Sequence, residues 1–311
     1  MMDLVPSENG TGQGRVRQSF VERKNIHPVL FAFLSLVAVF ILYQVGGGLI
    51  TLLVVGGANV TRGNVNLMRL FTMLGQLLLI LVPTLFFARL LSSHWQSVFP
   101  LRVPSLRESV WGVIGLLSLQ RVFEVYTYFQ DQIPIPDFVR KLIDPIRQML
   151  EEMMKVLLQS NSVHEFVFVV VVVALVPSIV EELLFRGLIQ KSFDLSMSPL
   201  ASALLAGTIF GLFHLNPFEA IPLIGIGCFL GFLRYRSASV LLPVLMHFLN
   251  NLLAVIAVTL KVGDEKIMMS PASDQPGLLI VVVQLLIFGT LFAASVRFYV
   301  NSTEGIREES V

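Results

Sequence analysis

The chain has 311 residues, 55% apolar and only 14% charged, with a formal net charge of +1; an ordinary globular domain carries about 25% charged residues. This composition, with apolar runs of spanning length recurring throughout, excludes a water-soluble domain and predicts an all-α polytopic transmembrane bundle. There is no basic patch with interleaved aromatics to suggest nucleic acid as a partner, and the lone cysteine, Cys228, excludes an intramolecular disulfide framework.

Residues 1–28 form a polar N-terminal tail. The first apolar run, Val29 to about Val55, is far longer than a secretory h-region of about 7–15 residues, so it reads as a retained first span. Eight spans are predicted, at about 29–55, 68–90, 109–128, 165–190, 199–215, 220–234, 239–260 and 277–299. They make a single transmembrane domain over 29–300, followed by a polar tail at 301–311. Gly46, Gly47 and Gly48 mark a kink or a close contact in the first span. Gly207 with Gly211, and Gly227 with Gly231, give small residues at the four-residue spacing that lets two membrane helices approach. Between the third and fourth spans, residues 137–159 place Phe138, Leu142, Ile146, Met149, Met153 and Leu157 at helical spacing opposite a charged face. That pattern predicts an amphipathic helix in the membrane interface, with a bend at Pro145. Lys and Arg residues divide thirteen to eight in favour of the side that holds the N-terminus. The positive-inside bias therefore predicts a multi-pass protein of the plasma (inner) membrane with both termini cytoplasmic.

The fourth span is the exception to this apolar pattern, because it contains Glu181, Glu182 and Arg186. Ionisable groups inside a span are expensive, on the order of 2.5–3.5 kcal/mol each on insertion scales, and by default mark a functional site. Two of the five histidines, His214 and His247, also fall within apolar runs, and Asn251 follows His247 by four residues. Glu182 and Arg186 are four apart on one helical face and can neutralise each other as a structural ion pair. Glu181 is turned about 100° away from Glu182 and is left free to face a cavity and take a proton from water. His247 and Asn251 share a face and offer N–H donors to one point, as an oxyanion requires. Asn250 competes with Asn251 for that role, and spacing does not separate them. His214 ends a small-residue helix and is a candidate to position water. Taken singly, each of these residues also has a structural use between helices; their joint occurrence on three spans points to catalysis.

The ordered set Glu181-Glu182-x-x-x-Arg186, Phe210-x-x-x-His214 and His247-x-x-x-Asn251 resembles the CAAX protease and bacteriocin-processing (Abi) family of intramembrane endopeptidases, which includes the type II prenyl-protein endopeptidases. The resemblance covers about residues 165–260. It implies an eight-helix bundle that hydrolyses a peptide bond in the membrane without a cofactor. By the same resemblance Glu181 activates water, His214 helps hold it, and His247 with Asn251 forms the oxyanion hole. The implied partners are the lipid bilayer and a membrane-associated peptide or protein substrate.

Other chemistries fit less well. His164-Glu165 opens like a zinc H-E-x-x-H motif, but Phe168 stands where the second histidine belongs. There is no Gly-x-Ser-x-Gly elbow and no aspartate within a span. A zinc site built from Glu181, Glu182, His214 and His247 is the runner-up, since all four are proper zinc ligands. The competing functions are a non-proteolytic peptide-binding or immunity protein and a proton-coupled carrier. Helix rise alone would put His247 shallower in the bilayer than Glu181 and His214.

Overall fold

The computed structural model describes residues 18–56, 61–260 and 277–308. Among these it is an all-α membrane bundle without strands, and its main helices are α1 (Pro28–Val55), α2 (Val65–Leu91), α3 (Leu106–Asp131), α4 (Asp137–Leu158), α5 (Val163–Asp194), α6 (Pro199–Phe213), α7 (Ala220–Ser237), α8 (Leu241–Thr259) and α9 (Leu278–Ser302). Five of them, α1, α2, α5, α8 and α9, are long and apolar enough to cross a membrane. The protein is thus an integral multi-pass membrane protein. Of the other predicted spans, α6 has 15 residues, about 22 Å of rise against a hydrocarbon core of about 30 Å. Arg15, Arg17, Lys261 and Lys266, which entered the charge count, lie outside the described residues, while Arg69 and Arg186 are fully buried in the bundle.

Local sequence sets the helix ends. Ser105 and Glu108 form a capping box at the start of α3, Ser162 caps α5, and Ser198 followed by Pro199 opens α6. Helix α4 coincides with the predicted interfacial helix and runs through Pro145. Its side chains Phe138, Leu142, Ile146 and Met149 are exposed. Its C-terminal end is gripped by Arg69 of α2, which donates to the carbonyls of Val156, Leu157 and Gln159 and pairs with Glu165 at 2.7 Å. The acid of the false zinc motif is therefore spent on a helix junction.

Two large apolar clusters build most of the bundle, and a smaller third joins Leu158, Val169 and Val255. One gathers Phe31, Ile80, Phe185, Leu188, Ile189 and Phe210 from α1, α2, α5 and α6; the other gathers Leu116, Phe229, Leu233, Leu242, Met246 and Tyr299 from α3, α7, α8 and α9. Helices α6 and α7 join them at backbone contact. A Cβ at Gly207 would lie 2.3 Å from the Cys228 amide nitrogen, and one at Gly227 would lie 2.4 Å from the Gly207 carbonyl oxygen. Both clashes are with backbone, which cannot swing aside. Gly207→Ala is therefore expected to destabilise the bundle by at least the ~1–3 kcal/mol of an overpacked core. Gly48→Ala, which meets nothing within 4 Å, is the control in a detergent thermal melt.

Candidate active site

Helix α5 is not a uniform α-helix. Wide π-type turns at Val170–Leu175 and Leu183–Ile189 flank an α-helical segment, Val176–Glu182, that carries both carboxylates. One cause is Pro177, which has no N–H to offer the carbonyl of Val173, four residues earlier. The carbonyl is satisfied from another helix: Asn251 Nδ2 of α8 donates to it at 3.2 Å. Such wide turns often accompany functional sites.

Glu182 and Arg186 are wholly buried and bonded, Nη1 to Oε1, at 3.0 Å. Arg186 also donates to the Gly227 carbonyl of α7 at 2.9 Å and lies 4.5 Å from the centroid of the Phe210 ring. The same Oε1 of Glu182 is 2.8 Å from Nδ1 of His247. One carboxylate oxygen thus ties α5 to α8, and the tie extends through Arg186 to α7. The ring of Phe210 packs against both histidines, with centroid distances of 4.7 Å to His214 and 5.6 Å to His247.

Glu181 faces a different way. Its Oε2 is buried, has no hydrogen-bond partner, and stands 3.9 Å from Nε2 of His214. Nδ1 of His214 is 2.8 Å from the Phe210 carbonyl, an acceptor only, so Nδ1 carries a hydrogen and Nε2 is the nitrogen turned toward Glu181. His214 ends α6, and Leu215 follows at φ 53°, the left-handed region that turns the chain out of the helix.

The depth mismatch expected for His247 is absent from the fold. The loop before α8 is drawn inward: the Val240 amide bonds the Pro100 carbonyl at 2.8 Å, and Phe99 sits where a Cβ on Gly187 would lie, 2.4 Å away. The start of α8 is thereby level with Gly187 of α5, and seven residues of rise bring His247 beside Glu182.

The structure thus joins Glu182, Arg186 and His247 in one network and sets Glu181 against His214 beside it, with Phe210 touching both groups. Asn251 points to α5 at Val173, one helical turn before Pro177. Asn250 turns the other way, accepting from Gln120 Nε2 of α3 at 2.8 Å while donating to Asn251 Oδ1 at 3.2 Å. Arg121 and Glu124 of α3 pair with each other in the open, away from this cluster. Among the described residues no three His, Cys, Asp or Glu side chains are grouped as a metal would need.

Three further polar residues border the site. The hydroxyl of Tyr43 on α1 faces the Gln76 amide of α2 and is within electrostatic range of Glu181. Glu219, in the loop after His214, is bonded by Asn216 Nδ2 at 3.2 Å, and burial pushes its carboxyl above the usual carboxylate range. Tyr43 and Gln76 were open to the reasoning that singled out His214, being polar groups inside apolar spans. They belong to none of the motifs that mark the other site residues.

No curated protein and no solved structure matches the chain. Residues 163–253, which bear Glu181, Glu182, Arg186, His214, His247 and Asn251, match the model of the family described as Type II CAAX prenyl endopeptidase Rce1-like.

Proposed function

We propose that the protein is an intramembrane endopeptidase in which Glu181 activates water against a peptide carbonyl. The observation that carries the reading is the unpartnered Oε2 of Glu181 set 3.9 Å from Nε2 of His214, which is an acceptor in the neutral ring. Two acceptors at that separation suit one water that donates a hydrogen to each, leaving its lone pair for the substrate. A buried acceptor left unpaired is unfavourable unless it has work with a ligand or water.

The reaction then follows from general acid–base chemistry. Glu181 takes one water proton as the oxygen attacks the scissile carbon. The carbonyl oxygen becomes an oxyanion, and Asn251 keeps a second amide hydrogen for it beyond the one given to Val173. His247 contributes through Nε2. With Nδ1–H held by Glu182, that nitrogen donates only in the doubly protonated ring. Glu181 passes its proton to the leaving nitrogen, the C–N bond breaks, and the carboxyl and amine products separate. Glu182 and Arg186 touch no reacting atom in this scheme; they set the ring of His247.

The substrate class is a membrane-associated peptide or protein, CAAX-type or another membrane peptide, meeting the site within the bilayer. The topology we propose keeps eight spans, with both termini cytoplasmic at the inner membrane and residues 1–28 and 301–311 as polar tails. N-terminomic comparison of membranes from cells with intact protein and with Glu181→Ala tests the reading. New N-termini that vanish in the variant support a peptidase. Identical termini, with a biological effect that still needs Glu181, would instead favour a proton-coupled carrier.

The scheme uses no metal. Arg186 and His247 both bond Glu182 through Oε1, at 3.0 and 2.8 Å, so that this acid is already engaged as a structural group. Activity is expected to survive exchange through a strong chelator, assayed beside a metal-repleted sample. Loss restored by stoichiometric zinc would move Glu181, His214 and His247 to a metal site.

A further inference from the structure

One polar group near the site has no place in the scheme above. Gln76 of α2 is 5% exposed, and its Oε1 is buried without a hydrogen-bond partner. The side chain lines a cavity of about 110 Å³ whose other walls include Thr72, Met154, Val172, Val173 and Pro177. Pro177 is four residues before Glu181 and so lies on the same face of α5, one turn away. Val173 is the residue whose carbonyl Asn251 holds. The cavity therefore lies one turn along α5 from Glu181 and against Val173, whose carbonyl Asn251 holds. The Gln76 amide also faces the Tyr43 hydroxyl, which is itself in range of Glu181.

An extended peptide advances about 3.3 Å per residue, and one helical turn is about 5.4 Å. A substrate with its scissile carbonyl at Glu181 would thus bring its backbone to this cavity one or two residues along. Inside a membrane-embedded site an extended backbone has unmet N–H groups that need acceptors. Gln76 is the lining residue whose side-chain acceptor is both buried and unpaired. We propose that Gln76 is a substrate-binding residue, accepting a hydrogen bond from a backbone N–H of the bound peptide one or two residues from the scissile bond. This rests on the endopeptidase reading and names how that site would grip an extended chain independently of its side chains.

The test uses the full-length protein in detergent micelles with a library of quenched fluorescent decapeptides, taking the peptide whose cleavage requires Glu181. That peptide is resynthesised with one backbone N-methyl group at each position in turn. For the intact protein, one position one or two residues from the cut is expected to lose about tenfold in kcat/KM, the size of one lost hydrogen bond of this kind. Gln76→Leu is expected to lose about tenfold on the unmodified peptide, chiefly through KM, with no further loss from that same N-methyl group. Gln76→Glu, which keeps an acceptor, should recover part of the loss, and thermal melts of all variants exclude misfolding as the cause. Unchanged KM in folded Gln76→Leu, or equal N-methyl losses in variant and intact protein, would overturn the proposal while leaving the peptidase standing. If no library peptide is cleaved in a Glu181-dependent way, the endopeptidase reading fails and the role of Gln76 falls with it.

Discussion

Replacing Glu181 by Gln is expected to lower the turnover of peptide cleavage by about 10²–10⁴-fold, the range typical of a removed general base, with little change in thermal stability. The two halves of this expectation come from different features. The amide has nearly the shape of the carboxylate but no basic oxygen, so it can orient a water without taking its proton. Stability should hold because Oε2 of Glu181 makes no hydrogen bond that the substitution would break. Parallel measurement of turnover and melting temperature on the same purified sample checks both. A variant that melts early would show that Glu181 serves the fold. A variant that keeps full activity would end the glutamate scheme, whatever the fate of the neighbouring residues.

Arg186→Ala should do the reverse, acting first on the fold. Arg186 neutralises Glu182 at 3.0 Å, donates to the Gly227 carbonyl and lies against Phe210. Removing it strands a carboxylate with no exposed surface and leaves a cavity among α5, α6 and α7. Breaking a buried pair from one side costs about 3–5 kcal/mol, which is a large fraction of the ~5–15 kcal/mol stability of a typical domain. We therefore expect a marked loss of folded yield in detergent, measured by size exclusion and thermal melt. What survives should be inactive, since the same Oε1 of Glu182 orients His247. The double variant Glu182→Gln, Arg186→Ala removes both charges and should recover part of the stability without recovering activity. Equal destabilisation by Arg186→Ala and Glu181→Gln would argue that Glu181 is the paired acid, contrary to the geometry.

How much of this was legible in the chain differs from residue to residue. The apolar runs declare a helical membrane protein because lipid offers backbone polar groups no alternative partner. The contacts of Glu182 with Arg186, and of Gly207 and Gly211 with α7, follow from spacing along or between helices, so local periodicity was enough to expect them. The separate direction of Glu181 follows from the same 100° step. The pairing of His247 with Glu182 is of another kind. Sixty-five residues separate them, and rise per residue puts them at different depths until the Phe99 and Pro100 segment draws in the start of α8. Asn250 and Asn251 were equal candidates on the helix. They are separated only by what lies opposite each: Gln120 for one, and the carbonyl freed by Pro177 for the other.

The sequence by itself determined the solvent, the helical class and the cast of ionisable residues, because those depend on composition and on periods of a few residues. Tertiary structure alone decided which carboxylate His247 meets, which nitrogen of His214 faces Glu181, and that Tyr43 and Gln76 stand beside the site. Those outcomes depend on the relative depth and rotation of whole helices, which packing across the bundle sets and no local period records.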